Sequence, residues 1–193
     1  MNQELFNNAL EFALKAHDGV TRKTRNIPFI LHPMEVATIV ATITDDQEIM
    51  AAALLHDTVE DADVSLKEIE DKFGRRVCEL VASETEDKMR ELLPEDSWQK
   101  RKEDSLLILK NTKDPAIKIL WLADKLANMR SFYALYLKKK EKMWDSFHQR
   151  DAKKQEWYYR TIAEYCCDLS DTRAYQEYLE LVNKVFGGQY GSN

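Results

Sequence analysis

The chain has 193 residues, of which 44% are hydrophobic and 32% charged, and carries a formal net charge of −6 at pH 7. That is enough chain for one domain with a real core, and the acidic balance argues against general binding to a nucleic-acid backbone while leaving room for a local basic patch. No stretch approaches the roughly 18 consecutive apolar residues of a membrane span, and the first residues, with Glu4 and Glu11, lack the basic start and apolar run of a secretory signal.

Five glycines and four prolines leave long stretches without breakers, which predicts helices rather than a many-turned sheet. Leu5, Phe6, Ala9, Leu10, Phe12, Ala13 and Leu14 recur at helical spacing and define a first amphipathic helix, stopped by Gly19. A basic turn comes next, Thr21-Arg-Lys-Thr-Arg-Asn-Ile-Pro28. Pro33 suits the first position of a second helix running to about Thr42. Asp45-Asp46 caps a third, from Gln47 through His56 and slightly beyond. Ser65-Leu-Lys-Glu68 is a capping box for a short helix ending near Phe73-Gly74, and Arg75 to about Glu84 forms the next. Glu84 to Asp96 is acidic, contains Pro94 and reads as a loop, with Asp96 or Ser97 capping a helix to about Asn111. Pro115 opens a long apolar helix, Ala116 to Leu137, and Lys138-Lys-Lys140 reads as a solvated face. Aromatic-rich helical sequence then extends to Phe186 with a break near Asp168 to Asp171, and Gly187-Gly188 begins a frayed tail. Cys78, Cys166 and Cys167 are odd in number, two of them adjacent and without a CxxC pair, so they read as thiols in a reducing cytoplasm. The expectation is one all-α domain over residues 1–193.

Four residues have the chemistry to share one metal ion: His32, His56, Asp57 and Asp124. His32 precedes Pro33, whose ring restricts it. His56 and Asp57 lie about 100° apart on an ideal helix, close enough to converge beside it. Asp124 interrupts the apolar run Ile117-Lys-Ile-Leu-Trp-Leu-Ala123, where a carboxylate costs several kcal/mol unless paired or metal-bound. Taken singly, each is better read as a structural histidine, a buried ion-pair partner or a chance dipeptide; together they favour a metal. Mixed nitrogen and oxygen donors suit Mn²⁺ or Fe²⁺, with Zn²⁺ as a further choice, and leave coordination positions open. Glu60 and Asp61, each about 40° around the helix from His56 and Asp57, fall on the same side and are candidates for general base, general acid or ligand orienter.

These residues resemble the HD phosphohydrolase superfamily, and the fuller pattern is narrower. Ala16-His-Asp-Gly-Val-Thr-Arg-Lys23, Pro28-Phe-Ile-Leu-His-Pro33, Leu54-Leu-His-Asp-Thr-Val-Glu-Asp61 and Leu122-Ala-Asp-Lys-Leu-Ala-Asn-Met-Arg130 are similar to the hydrolase domain of RelA/SpoT homologues, in the form of a small stand-alone alarmone hydrolase. The resemblance covers residues 5–130 and fades over the C-terminal helices, 131–186; Lys138 to Arg160 does not align. It implies an HD-type helical bundle that removes the 3′-pyrophosphate of ppGpp. His32, His56, Asp57 and Asp124 would hold Mn²⁺. Glu60 and Asp61 would activate the attacking water. Arg22 and Lys23 would contact the nucleotide, with the arginine against the base, Asn128 would reach the ribose or phosphates, and Lys88 would approach the phosphates. Residue chemistry agrees: a guanidinium stacks on a purine, an ammonium suits a diphosphate, and Asn128 stands at i+4 from Asp124. Trp157 and Tyr158 are pocket candidates set against an ordinary core role.

Three functions compete. The first is the Mn²⁺-dependent pyrophosphohydrolase, cytoplasmic, with a small nucleotide substrate, no nucleic-acid or membrane partner, and a homo-oligomer left open. The second is a phosphatase on the same scaffold acting on another phosphorylated nucleotide such as NADPH. The third is a non-catalytic nucleotide-binding module, which predicts a missing ligand or acid, yet all six residues are present.

Overall fold

The computed structural model describes residues 3–22, 26–87, 89 and 91–187, and within them the chain is built from α-helices without a strand. They are α1 (Gln3–Ala16), α2 (Leu31–Val40), α3 (Gln47–Leu55), α4 (Thr58–Asp61), α5 (Leu66–Phe73), α6 (Arg75–Glu84), α7 (Pro94–Asn111), α8 (Pro115–Lys139), α9 (Ala152–Tyr165) and α10 (Arg173–Phe186), with 3₁₀ turns at Lys140–Ser146 and Cys167–Leu169. The all-α expectation holds. An isolated antiparallel bridge, Thr21 to Pro28, pins the loop between α1 and α2. No helix among the described residues is long and apolar enough to cross a membrane.

Long α8, roughly 37 Å at 1.5 Å per residue, is the axis of the packing. α2, α3, α6, α7, α9, α10 and the Lys140–Ser146 turn all lie against it. Its buried face runs through Leu120, Trp121, Leu122, Ala123, Leu126, Ala127 and Met129. The second hub is α3, which touches α1, α2, α6 and α8. It can do so because Ala51, Ala52 and Ala53 are fully buried and short, letting neighbouring backbones approach from several sides. At the far side, the Tyr175 hydroxyl donates to the Ala163 carbonyl at 2.9 Å and the Tyr178 hydroxyl to that of Tyr159 at 2.8 Å, tying α10 to α9.

Several helix ends agree with the sequence. Asp46 accepts from the backbone N–H of Glu48 and Ile49, and Ser65 from that of Glu68. Gly74, at φ +88°, supplies the left-handed residue that separates α5 from α6. Four expectations are corrected. The aromatic-rich stretch is not helical up to Asp168, because the 3₁₀ turn at Lys140–Ser146 and the non-helical residues 147–151 separate α8 from α9. Pro33 is the third residue of α2, not the first; it is still in the opening turn, where no backbone N–H is missed. α7 begins at Pro94, not at Asp96 or Ser97, because proline's fixed φ presets the first turn and holds Leu93 extended ahead of it. α3 stops at Leu55, so no single helix carries His56 through Asp61. Lys138, Lys139 and Lys140 are exposed, and all three cysteines are free thiols. The tail beyond Gly187 lies outside the described residues.

Candidate metal centre and cavity

The break after Leu55 shapes the site. His56 ends α3 in helical geometry, and Asp57, at φ −91° and ψ −5°, turns the chain into the one-turn helix α4. The side chains that converge here do so around a bend rather than along the continuous helical face expected from the sequence. The Thr58 hydroxyl donates to the Leu55 carbonyl at 2.7 Å and satisfies the end of α3. His56 Nδ1 lies 2.8 Å from the Ala53 carbonyl oxygen. A carbonyl only accepts, so Nδ1 carries a proton and Nε2 is the ring atom that faces the carboxylates.

Two histidines and two carboxylates meet there. His32 Nε2 is 3.0 Å from Asp124 Oδ1 and 3.5 Å from Asp57 Oδ2. His56 Nε2 is 3.2 Å from Asp57 Oδ2 and 3.6 Å from Asp124 Oδ1. His32, His56 and Asp124 are buried, and their ligand atoms all lie within 4.8 Å of one another. His56 Nε2 has no hydrogen-bond partner despite its burial. Unmatched nitrogen beside convergent carboxylates is the arrangement a divalent ion completes, so these residues fit one. Protons report the same field. Burial disfavours the His56 imidazolium, but Asp57 and Asp124 outweigh it and hold the ring's pKa well above its usual value. Burial also opposes ionisation of Asp57 and Asp124; the histidines, and Lys125 in the case of Asp124, keep both carboxyls below their usual range.

Asp124 is further braced. Its carboxylate is paired with Lys125, whose Nζ also donates to Glu84 Oε2 at 3.1 Å. Asn128 Nδ2, one turn on, donates to Asp124 Oδ1 at 2.8 Å, and Arg22 Nη2 donates to Asn128 Oδ1 at 3.2 Å. Burial pushes the Glu84 carboxyl up to about 7 against the pull of Lys125. Arg22 is held by the bridge at Thr21, by its N–H to the Ile27 carbonyl and by the Phe29 ring, 5.5 Å from its guanidinium carbon.

This cluster opens on a cavity of about 760 Å³. Of the residues singled out from sequence, Arg22, His32, Asp57, Glu60, Asp61, Asp124 and Asn128 line it, and His56 sits behind its wall. Lys23 and Lys88 lie outside the described residues. Trp157 and Tyr158 are not among the lining residues; both rings pack against Trp98 of α7. The sequence reading missed a second group of lining residues. Glu86, Arg101 and Lys102 form one charged part of the wall, while Phe132, Leu135 and Phe147 form an apolar part with His148 beside it. Arg101-Lys102 stood in plain view as a basic pair on a predicted helix. Phe147 and His148 belong to the stretch, Lys138 to Arg160, that does not align with the family's motifs.

Residues 9–149 match the HD-domain family. The chain is an HD-domain protein. Its relatives narrow the group. Over 135 residues it is 38% identical to the guanosine-3′,5′-bis(diphosphate) 3′-pyrophosphohydrolase of Aquifex aeolicus, covering 70% of this chain and 19% of that one. The Vibrio cholerae enzyme of the same name is 36% identical over 132 residues, 68% of this chain and 18% of the relative. The chain thus spans under a fifth of the length of these curated relatives. Among solved structures, a metazoan orthologue of SpoT reported to hydrolyse ppGpp aligns over 93% of this chain and 94% of its own, with a TM-score of 0.72 and 25% identity. A crystal structure from Listeria monocytogenes EGD-e covers 81% of this chain and 99% of its own, with a TM-score of 0.70 and 30% identity.

Proposed function

We propose that the chain is a metal-dependent hydrolase that removes the 3′-pyrophosphate from ppGpp or a close relative, acting in the cytoplasm as one HD-type unit with the motifs in residues 5–130 and the closing helices in 131–186. The single observation that carries this reading is the meeting of two histidines and two carboxylates at the wall of a cavity that Arg22 and Asn128 also line. The likeness to relatives named for that reaction gives the substrate class.

His32, His56, Asp57 and Asp124 would hold the ion, with Mn²⁺ the first choice for this donor set. When bound, the ion supplies Lewis acidity toward a phosphoryl oxygen and offsets the acidity of the wall. The remaining work belongs to the chain. Glu60, with Asp61 beside it, takes the proton from the water that attacks the 3′-linked phosphorus. The bond from that phosphorus to the ribose 3′-oxygen breaks, that oxygen takes up a proton to become the 3′-hydroxyl, and the two phosphates leave as pyrophosphate. Arg22, pinned over Phe29, presents a flat cation to the purine. Asn128 spans Arg22 and Asp124, so one side chain couples nucleotide position to the donor cluster. Lys23 and Lys88 would add positive charge along the phosphates, as the family resemblance implies.

The test is a nucleotide panel with the purified full chain and Mn²⁺, scoring pyrophosphate against orthophosphate. Pyrophosphate from a guanosine 3′-diphosphate is the expected result. Failure to turn over any 3′-diphosphate nucleotide overturns the assignment, and orthophosphate from a 2′- or 3′-monophosphate moves it to the phosphatase alternative.

A further inference from the structure

Glu86 takes no part in the chemistry just described, yet it joins two parts of the cavity wall. Its backbone N–H donates to Glu60 Oε1 at 2.6 Å. Its carboxylate, with a side chain only 10% exposed, accepts from Arg101 Nη1 at 3.0 Å, from Ser105 Oγ at 3.1 Å and from Lys102 Nζ. All three donors stand on α7, within little more than one helical turn. Lys102 is itself held over the Tyr158 ring at 4.8 Å, and Arg101 Nε donates to Ser97 Oγ at 3.3 Å. The backbone that carries Glu86 leaves α6 at Thr85, whose hydroxyl reaches back to the Val81 carbonyl at 2.9 Å. Burial works against the Glu86 charge; Lys102, Lys125 and Arg101 outweigh it and hold the carboxyl below its usual range. Such a carboxylate, with three donors and two adjacent cations, has little freedom to move.

The arrangement is directional. The α7 cations fix the Glu86 side chain, the side chain fixes its own backbone, and the backbone N–H aims one oxygen of Glu60. Glu60 lines the cavity, so fixing one of its oxygens sets the direction of the whole carboxylate there. An acid standing in the wall of a phosphate-binding cavity would repel substrate if it were bare, and Arg101 and Lys102 cancel that repulsion while doing the positioning.

We propose that Glu86 is a positioning residue for hydrolysis, acting through Glu60, with Arg101 and Lys102 as its anchors. The inference rests on the role given to Glu60 under Proposed function. It differs from a direct phosphate-binding role for the same two cations, which would act on substrate affinity.

The test is a double-mutant cycle in the full chain with Mn²⁺ and a guanosine 3′-diphosphate. Glu86→Ala lowers kcat by about 10- to 100-fold with KM within about twofold, as expected when only a transition-state interaction is disturbed. Glu86→Gln, which keeps an acceptor for Arg101 and Ser105, recovers about half or more of the lost factor on a logarithmic scale. In a Glu60→Gln background, Glu86→Ala costs no more than about twofold further, because residues acting as a unit are non-additive. Additive losses, or an effect confined to KM, overturn the proposal. A second measurement needs no turnover. In ¹H–¹⁵N spectra the Glu86 amide proton stands downfield in the parent, and moves upfield in Glu60→Ala, which removes the acceptor, and, at the same position, in Glu86→Ala. An amide shift indifferent to Glu60→Ala also overturns it. Because this signal reads the contact itself, a wrong substrate and a wrong positioning role give different results.

Discussion

The two parts of the cavity wall are made of different materials. Around the His-Asp bend the helices are lined with alanine, and several buried polar groups are held by named partners: His56 Nδ1 by the Ala53 carbonyl, Asp124 by Lys125 and Asn128, Lys125 by Glu84. The wall where Phe132 of α8 and Phe147 line the cavity is aromatic, with Trp144 of the Lys140–Ser146 turn packed against both. Phe132 packs 4.8 Å from Phe147, 5.3 Å from Tyr159 and 5.8 Å from Trp144, and Trp144 stacks on Phe186 at 5.4 Å. The first region trades flexibility for fixed atom positions, as a cluster of buried charges demands. The second excludes water and offers flat surfaces without dictating one geometry. Chemistry should therefore depend on the first and affinity on the second, and variants can separate them.

The largest effect is expected at the donors. Asp57→Ala, or removal of divalent ions by a chelator, should lower turnover of a guanosine 3′-diphosphate by about a thousandfold or more, since the metal's contribution to charge stabilisation is lost outright. Chelation should be reversed by Mn²⁺ and Asp57→Ala should not; full activity in Asp57→Ala would remove the metal assignment. Next comes Glu60→Gln, expected to lower kcat by about 10²- to 10⁴-fold, the range for a general base, with the fold intact by circular dichroism. Phe147→Ala should do the opposite: a KM raised by about tenfold with kcat within about threefold, as for loss of one aromatic platform under a base. If Phe147→Ala lowered kcat while leaving KM unchanged, the division of labour between the two regions would fail.

The same contrast explains what could be read from the chain. His56-Asp57-Thr-Val-Glu60-Asp61 is local, so donor identities were visible in a short run of consecutive residues, and His32 and Asp124 were marked by a neighbouring proline and by an apolar run. Even so, the geometric argument from an unbroken helix was not how the molecule does it. The bend at Asp57 brings the side chains together, and nothing in the local pattern announces a one-turn helix there. Most helices are legible from caps and periodicity; the start of α7 is not, because Pro94 in an acidic stretch fits a loop as well as a helix opener. The aromatic wall was illegible for a different reason. Phe147 and His148 have no periodic context, and their approach to the cavity depends on how α8, α9 and α10 pack, a matter of contacts distant in sequence. Trp157 and Tyr158 looked the better candidates only because their helix was easier to see.

The smallest effect expected is at a residue that serves both regions equally. Asp114 caps α8, accepting from the Ala116 N–H at 3.0 Å, and receives Arg76 from α6 through both carboxylate oxygens. α8 carries Asp124 in one region and Phe132 in the other, so loosening its start should weaken the frame without favouring either. Asp114→Ala should cost about 1 kcal/mol, the usual value of a helix cap, with little added by an ion pair whose members are about a third exposed. That corresponds to a Tm lower by about 2–4 °C for a chain of this size. kcat and KM should stay within about twofold, because additivity holds for distant sites. The pH dependence has a definite sign. The Arg76 hydrogen bond holds the Asp114 carboxyl below its usual value of 3.8, against the opposing effect of burial. Its contribution is therefore present above that ordinary value and is lost as the pH falls through the lowered one. The difference in Tm between parent and Asp114→Asn should accordingly be constant from about pH 7 to about pH 5 and shrink only at more acid pH; a difference that grew on acidification would mean the carboxylate is not the stabilising form. A selective loss of kcat in Asp114→Ala would mean that the start of α8 is mechanically coupled to Asp124, and that the two regions are not carried by a common rigid helix.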